Sequence, residues 1–532
     1  MIKKYKFITS IVLMLILACS KESIYDENNI FRYNEHSNIS SLDPAFSSTL
    51  RNIWPVNQLF NGLVQLDDSL NIKPDIASSW IISKDGKKYD FIIKKNIFFH
   101  KSNIFGIDST RYVNAHDFKY SFNRLRNPEL GSPGSWVLNN VESFSSPNDS
   151  IFSIRLKKPF AAFLGILSMK YCSVVPKEAI DYYGDKFGKN PLGTGPFKFK
   201  RWEENIKLVL RKNNQYFEKD EKGIQLPYLE AISITLLADK KSEFMEFMQG
   251  KIDFINSIDS SFKDQLLENN GNLKNQYSKS INLLTGPYLN TEYIGFFLGN
   301  NNSPVNSKKL RLAINYGFDR VKMMKYLRNN IGYPANNGFI PFGLNKNINT
   351  KGFNYQPKKA KKLVEDYKKE MGKKSIEIEL STDANYIDIV EYIQRELLEI
   401  GINIKINIMP PSSLRQAKSN GKLEMFRASW IADYPDAENY LSLFYSKNKA
   451  PNGPNYTHFE NSIYDKKYIN TYLEQSKIKR NIAYSELDKL IIKEALVVPL
   501  YYDKIMRFSK KNVYGLETNP INQLNLKRVY KK

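Results

Sequence analysis

The stretch that decides the fold class is residues 376–408, IEIELSTDANYIDIVEYIQRELLEIGINIKINI. Ile376, Ile378 and Leu380 alternate with glutamates, which predicts a strand with one buried face. Apolar residues then recur every three or four positions from residue 387 to residue 400, and this spacing indicates an amphipathic helix. After Gly401, isoleucines alternate with polar residues again. Because the connections are short, we expect a parallel right-handed crossover and an α/β fold.

The sequence on either side of this unit extends the prediction. Pro357 opens a segment with apolar spacing typical of a helix, in which Ala360, Leu363, Val364 and Tyr367 share one face. Nearer the N-terminus the pattern changes to short alternating runs separated by turn residues, which predicts antiparallel strands. Those runs include residues 88–94 and 152–156.

Length and charge restrict the class of protein. A chain of 532 residues exceeds the usual size of one hydrophobic core, so we expect two or three domains. Its 78 basic and 55 acidic residues give a net charge of +23, but the lysines are scattered and form no block that could follow a phosphate backbone. No nucleic-acid partner is predicted.

The N-terminus predicts export. Lys3, Lys4 and Lys6 precede the apolar run 7–18, which has the order of a signal peptide and is too short for a permanent membrane span. Residues 16–19, Ile-Leu-Ala-Cys, resemble a bacterial lipobox, so we expect a signal peptide at 1–18, a lipid on Cys19 and a tether at 19–30. An uncleaved anchor is the alternative, and both interpretations export the chain. With Cys19 lipidated, Cys172 has no partner for a disulfide.

The motifs of common enzymes are missing from the sequence. The four histidines lack the spacing of metal ligands, and no phosphate-binding loop or Gly-x-Ser-x-Gly elbow occurs. Gly193-Thr194-Gly195 begins like a dinucleotide fingerprint, but Pro196 follows and the third glycine is missing. We therefore predict no metal, cofactor or catalysis, and expect a binding protein with a cleft between lobes.

A series of motifs then occurs in a familiar order. The series consists of LDPA at 42–45, LFNGL at 59–63, KPDIASSW at 73–80, AHDF at 115–118, YSFNR at 120–124, PLGTGPF at 191–197, GKID at 250–253, KLR at 309–311 and DR at 319–320. Over nearly all of residues 31–530 the chain resembles the family 5 extracellular solute-binding proteins, the peptide-binding components of ABC importers.

The resemblance implies a two-lobed periplasmic-binding-protein fold of type II, in the large cluster that carries an extra inserted domain. It places a discontinuous lobe I at 31–63, 193–285 and 498–532, the inserted domain at 64–192 and lobe II at 286–497.

The resemblance also implies a ligand site in residues 427–436, RASWIADYPD. In the family an aspartate here pairs with the ligand's α-amino group, a role that falls on Asp433; capping a turn before Pro435 is the alternative. Backbone groups of Ser429, Trp430 and Ile431 match positions that run beside the peptide, although the Trp430 ring could equally fill core. Arg427 matches a basic position near the peptide's carboxyl end, or else makes an ordinary salt bridge. Some peptide binders have glycine in place of Ser429, so the peptide length stays open.

The implied function is that of a monomeric lipoprotein on the periplasmic side of the bacterial cell envelope, which passes peptides to an ABC permease in the inner membrane. Relatives that bind nickel chelates, haem or sugars leave a non-peptide solute open. An exported hydrolase and a surface adhesin or chaperone are further alternatives.

Overall fold

The computed structural model describes residues 29–344 and 350–532. The predicted signal peptide, Cys19 and nearly all of the predicted tether lie outside these residues. The α-helices are α1 Leu50–Leu59, α2 Ala115–Arg126, α3 Phe163–Leu167, α4 Lys177–Tyr183, α5 Lys240–Met248, α6 Ser260–Leu266, α7 Lys308–Tyr316, α8 Arg320–Leu327, α9 Pro357–Met371, α10 Ile387–Glu399, α11 Pro411–Ser419, α12 Glu438–Leu441, α13 Ser462–Leu473 and α14 Lys477–Lys493.

The strands are β1 Ile30–Asn34, β2 Val64–Leu66, β3 Ile72–Pro74, β4 Ala77–Ile82, β5 Lys88–Ile93, β6 Val141–Asn148, β7 Ile151–Leu156, β8 Phe197–Glu203, β9 Lys207–Lys212, β10 Ala231–Thr235, β11 Phe254–Asn256, β12 Ile281–Phe296, β13 Tyr333–Pro334, β14 Glu377–Thr382, β15 Asn403–Ile408, β16 Met425–Ile431, β17 Val497–Lys510, β18 Val513–Tyr514 and β19 Tyr530–Lys531.

The strand, helix and strand predicted from residues 376–408 are confirmed as β14, α10 and β15. Strands β14 and β15 pair in parallel, with Glu377 opposite Asn403 and Thr382 opposite Ile408. The helix that Pro357 opens is confirmed as α9. The alternating runs near the N-terminus form β5 and β7, which pair antiparallel. The fold is therefore the mixed α/β arrangement that the sequence predicts.

The two lobes share one sheet of eleven strands. Its order is β15-β14-β16-β12-β17-β11-β1-β10-β9-β8, with β13 also paired to β17. Strands β11, β1, β10, β9 and β8 carry the core of the first lobe, around Phe31, Trp54 and Phe254. Strands β16, β14 and β15 carry the core of the second lobe, around Ile314, Ile393 and Ile404. The long strands β12 and β17 run from one lobe into the other.

A bulge interrupts the β12–β17 pairing between the lobes. Pro287 lies opposite Lys504 and Thr291 lies opposite Tyr502, so three residues of β12 face the single residue Asp503. A bulge bends its strand and leaves the extra residues outside the ladder. Here it directs Tyr288 into the space between the lobes.

A small domain forms a third body. It contains the antiparallel sheet β4-β5-β7-β6, covered by α2, and has its own core around Phe91, Phe118 and Phe152. The buried residue Tyr434 of the second lobe joins that core. The small domain therefore packs against the second lobe as well as the first. Across the described residues, every helix is too short or too polar to span a lipid bilayer.

Candidate functional site

The strand β16 has an unpaired edge. One side of β16 pairs with β12 along its whole length, from Met425 to Ile431. On the other side β14 pairs only with Met425 and Phe426. Among the described residues, no strand continues this ladder beside residues 427–431. The backbone groups on that edge are free to pair with an extended chain.

The loop after β16 is held by hydrogen bonds from residues farther along the chain. The Oδ1 atom of buried Asn439 accepts from Trp430 Nε1 at 2.8 Å and from the Asp433 amide at 3.4 Å. Glu438, also buried, accepts hydrogen bonds from the hydroxyls of Tyr434 and Tyr468. The position of Asp433 is therefore set by α12 rather than by the strand that precedes it.

Asp433 lies on the wall of a cavity of about 350 Å³. The first lobe contributes residues 47–50 and Ile53, the small domain contributes Trp136 and residues 168–171, and the second lobe contributes Tyr288 and residues 431–433. A cavity where three bodies meet can change its shape when they move, as ligand sites between lobes do.

The charge of Asp433 has no counter-ion in the described part of the chain. No lysine, arginine or histidine forms an ion pair with it there, and its side chain is exposed to the cavity. Surrounding protein raises the pKa of Asp433, while a hydrogen bond with Asn439 opposes that rise. Burial and the nearby Asp433 charge raise the pKa of Tyr171 to about 12. A cationic group entering the cavity would relieve this uncompensated charge.

Arg427 is engaged inside the second lobe. Its guanidinium bonds to the buried carboxylate of Glu292, lies 3.7 Å from Asp383 Oδ2 and covers the ring of Tyr386 at 3.2 Å from the centroid. Burial lowers the pKa of Arg427, but Glu292 together with Tyr386 and Tyr501 outweighs that effect, and the pKa is raised. The structure therefore pairs Arg427 with a buried carboxylate of the adjacent strand β12.

A second space adjoins the first. It holds about 760 Å³ and shares Leu50 and Tyr288 with the Asp433 cavity. Its other walls include Tyr386, Arg328 and Asp503. Burial raises the pKa of Asp503, whose Oδ2 accepts a hydrogen bond from Asn290 at 3.2 Å. The two spaces therefore adjoin at Leu50 and Tyr288, between the lobes.

The other residues predicted for the site lie at its border. Ile431 is exposed and lines the cavity, whereas Ser429 and Trp430 are half-buried along the unpaired edge. Sequence reasoning missed Lys170 and Tyr288, because they come from distant segments and carry no motif. It also missed Asn439, which lies only six residues after Asp433 but belongs to no motif. Within the described residues, no group of three histidine, cysteine, aspartate or glutamate side chains comes together as metal ligands would.

The model of the family described as "Bacterial extracellular solute-binding proteins, family 5 Middle" matches residues 71–452, which is more than half of the chain. The chain belongs to this family. It is a solute-binding protein of the kind that serves ABC importers. The glutathione-binding protein GsiB of Escherichia coli strain K12 is 25% identical over 496 residues, which are 91% of each chain.

Solved structures of family 5 type share the two-lobed fold. The periplasmic binding protein DppA of Helicobacter pylori, in complex with the peptide STSA, superposes with a TM-score of 0.77 at 24% identity, covering 94% of this chain and 98% of that one. NikZ of Campylobacter jejuni, in complex with Ni(L-His), has a TM-score of 0.74 at 22% identity, covering 94% and 97%. Similar folds therefore hold chemically different solutes.

Proposed function

We propose that the protein captures peptides in the cleft between its lobes and delivers them to an ABC permease. The observation that carries this proposal is Asp433, an uncompensated carboxylate on the cavity wall just beyond the unpaired edge of β16. A free peptide has a cationic amino end followed by a backbone that can add to a strand edge. Asp433 would bind the amino group, and residues 429–431 would bind the backbone.

The ligands of the relatives agree with this proposal without deciding it. DppA holds the peptide STSA, and GsiB is named for glutathione, itself a γ-linked tripeptide. NikZ holds a metal complex of histidine. Since the fold accommodates all three, the arrangement of charge and strand edge in this chain is the better guide to its solute.

The remaining parts of the proposal concern the whole protein. Lobe I comprises 31–63, 193–285 and 498–532, the inserted domain comprises 64–192, and lobe II comprises 286–497. Closure of the lobes around a peptide would give the form that the permease recognises. A lipid on Cys19 would hold the protein at the periplasmic face of the cell envelope, and the protein would act as a monomer without catalysis or a cofactor.

The Asp433→Asn variant tests the proposal. Removing the charge should weaken the binding of a free peptide such as trialanine by about 2 to 4 kcal/mol, the cost of losing one partner of a buried charge pair. N-acetyl-trialanine, which lacks the ammonium, should bind both proteins weakly. Isothermal titration calorimetry measures both comparisons.

The matched control is Glu365→Gln, which removes an exposed carboxylate on α9. It should bind trialanine like the unmodified protein. Equal affinities for free and acetylated trialanine in every protein would contradict the role of Asp433. Mass spectrometry of the solute that is purified with the protein would then separate a peptide from a metal chelate, haem or a sugar.

A further inference from the structure

The second space, beside the Asp433 cavity, has a carboxylate of its own in its wall. Asp503 lies on β17, opposite the bulge of β12, and lines this space of about 760 Å³. Burial raises the pKa of three tyrosines in the same wall, Tyr288, Tyr386 and Tyr501, and nearby carboxylates, Asp503 in each case among them, raise it further. The Asp503 carboxylate therefore lies close to the inner surface of the space.

The two guanidinium groups near Asp503 already have carboxylates of their own. Arg328 donates to both oxygens of Asp388, at 2.5 and 3.1 Å. Arg427 is paired with the buried carboxylate of Glu292. Both guanidinium charges act on Asp503 through space, but neither forms an ion pair with it. Asp503 is therefore left as a surplus negative charge.

Two lysines also line the second space without pairing with this carboxylate. Lys263 donates to Asn329 Oδ1 at 3.2 Å. Lys504 follows Asp503 in β17, and its backbone amide donates to Asp503 Oδ1 at 2.9 Å. Within the part of the chain that the structure describes, Asp503 accepts hydrogen bonds from this amide and from Asn290 and has no counter-ion in contact.

The group beside Asp503 is short of hydrogen-bond donors. The Nδ2 atom of buried Asn290 donates to Glu292 Oε1 at 3.1 Å and to Asp503 Oδ2 at 3.2 Å. Its Oδ1 atom is buried and has no donor among the described residues. Burial raises the pKa of Asp503, and its hydrogen bonds and the two guanidinium charges do not cancel that effect. A cationic donor in the second space would stabilise the carboxylate.

We propose that the second space binds a cationic side chain of the solute, with Asp503 as its counter-ion, so that the protein prefers peptides containing lysine or arginine. This inference rests on the proposed function, since it takes the solute to be a peptide whose amino group lies at Asp433. Leu50 and Tyr288 border both spaces, so a peptide held at Asp433 lies next to the second space. About 760 Å³ is ample for one long side chain, and the tyrosine rings in the wall suit a cation.

The test compares peptides that differ in one charge. Three tripeptides carry a single lysine among alanines, at the first, second or third position, and three matching peptides carry methionine there instead. Calorimetry on the unmodified protein should show tighter binding of the lysine peptide by about 10- to 100-fold at one position or more, the usual effect of a hydrogen bond to a charged group.

Variants of Asp503 assign this preference to one side chain. Asp503→Asn should lose the preference for lysine and leave the affinity for the methionine peptides unchanged, whereas Asp503→Glu should keep the preference. The matched control is Glu391→Gln, which removes an exposed carboxylate on α10 and should change no affinity.

Arginine in place of lysine, at the position that shows the preference, distinguishes the two cationic side chains. Dependence of both peptides on Asp503 would show that the charge alone is recognised. Dependence of the lysine peptide alone would show that the space takes an ammonium and rejects the larger guanidinium.

Two outcomes would overturn the inference. Equal affinities for the lysine and methionine peptides at all three positions would show that the second space takes no cation. Equal weakening of both kinds of peptide by Asp503→Asn would make Asp503 structural. In either case the peptides still bind, and the proposed function stands. Failure of the unmodified protein to bind any of the six peptides would instead refute the peptide function, and this inference with it.

Discussion

His100 shows how one buried side chain supports the turn at residues 193–195. Its Nδ1 accepts from the Gly193 amide at 3.4 Å, and its Nε2 lies 3.0 Å from the Gly195 carbonyl oxygen. This pattern requires a neutral ring with its proton on Nε2. Burial lowers the pKa of His100 from 6.5 to about 4, while the Gly195 bond acts in the opposite direction.

The pKa of His100 predicts a loss of stability in acid. The unfolded chain binds this proton near pH 6.5 and the folded chain only near pH 4, so the stabilisation is complete above about pH 6.5 and disappears as the pH falls towards 4. The full loss is about 3 kcal/mol. In urea denaturation between pH 7 and pH 4.5, the free energy of unfolding of His100→Gln should depend less on pH than that of the unmodified protein. The exposed His116 gives the control, His116→Gln; equal pH dependence in all three proteins would contradict this account.

At the scale of secondary structure, sequence reasoning succeeded where the pattern is local. The β14–α10–β15 unit is encoded by alternation and helical spacing within 33 consecutive residues, 376–408. The long strand β12 was not predicted, because Gly286 and Pro287 interrupt its alternation, and proline in a strand usually marks an edge or a bulge. The structure places the bulge at that point.

The candidate site was predictable only in part for a related reason. Asp433 was predicted through a motif, but the hydrogen bond from its amide to Asn439, six residues later, follows from the conformation of the loop, which no sequence pattern announces. The pairing of Arg427 with Glu292, 135 residues away, depends on how the chain folds in space. Other motifs of the family form hydrogen bonds with one another in the structure. For example, Asn61 in the motif at 59–63 donates a hydrogen bond to Asp75 in the motif at 73–80.

The turn at residues 193–196 leads to a prediction about packing. A Cβ atom added to Gly195 would lie 2.4 Å from the carbonyl oxygen of Gln58, at the end of α1. Gly195→Ala should therefore lower the free energy of unfolding by about 1 to 3 kcal/mol, the usual cost of overpacking. Urea denaturation measures this change. Gly62→Ala is the control, because its Cβ would meet ordinary contacts at 3.6 Å; equal destabilisation of both variants would contradict the steric explanation.

At the scale of the whole molecule, aromatic contacts join the small domain to the second lobe. The rings of Phe160, in the small domain, and Tyr472, on α13, stack at 4.3 Å with an angle of 9°. Tyr434, next to Asp433, meets Phe160 edge to face at 6.3 Å. They would separate if the small domain moved away from the second lobe.

The Tyr472→Leu variant tests whether this contact favours the closed form. Losing an aromatic pair worth about 0.5 to 1.5 kcal/mol should shift the population towards the open form and weaken solute binding up to about tenfold. Small-angle X-ray scattering should show a larger radius of gyration without solute. Tyr112→Leu removes an aromatic contact between Phe98 and Tyr112, both within the small domain, and should have no such effect. An unchanged radius and affinity for Tyr472→Leu would show that the stack does not control closure.

The unpaired edge of β16 also bears on the tendency of the protein to aggregate at high concentration. A bare strand edge is a common starting point for aggregation, since it can recruit a strand from a neighbouring molecule. Here the edge is only residues 427–431 long, Ala428 is buried within it, and it ends at an internal cavity wall. So short an edge offers few backbone groups to a strand of another folded molecule, whereas a single extended peptide can still pair with it. We therefore expect this edge to serve peptide binding more readily than aggregation.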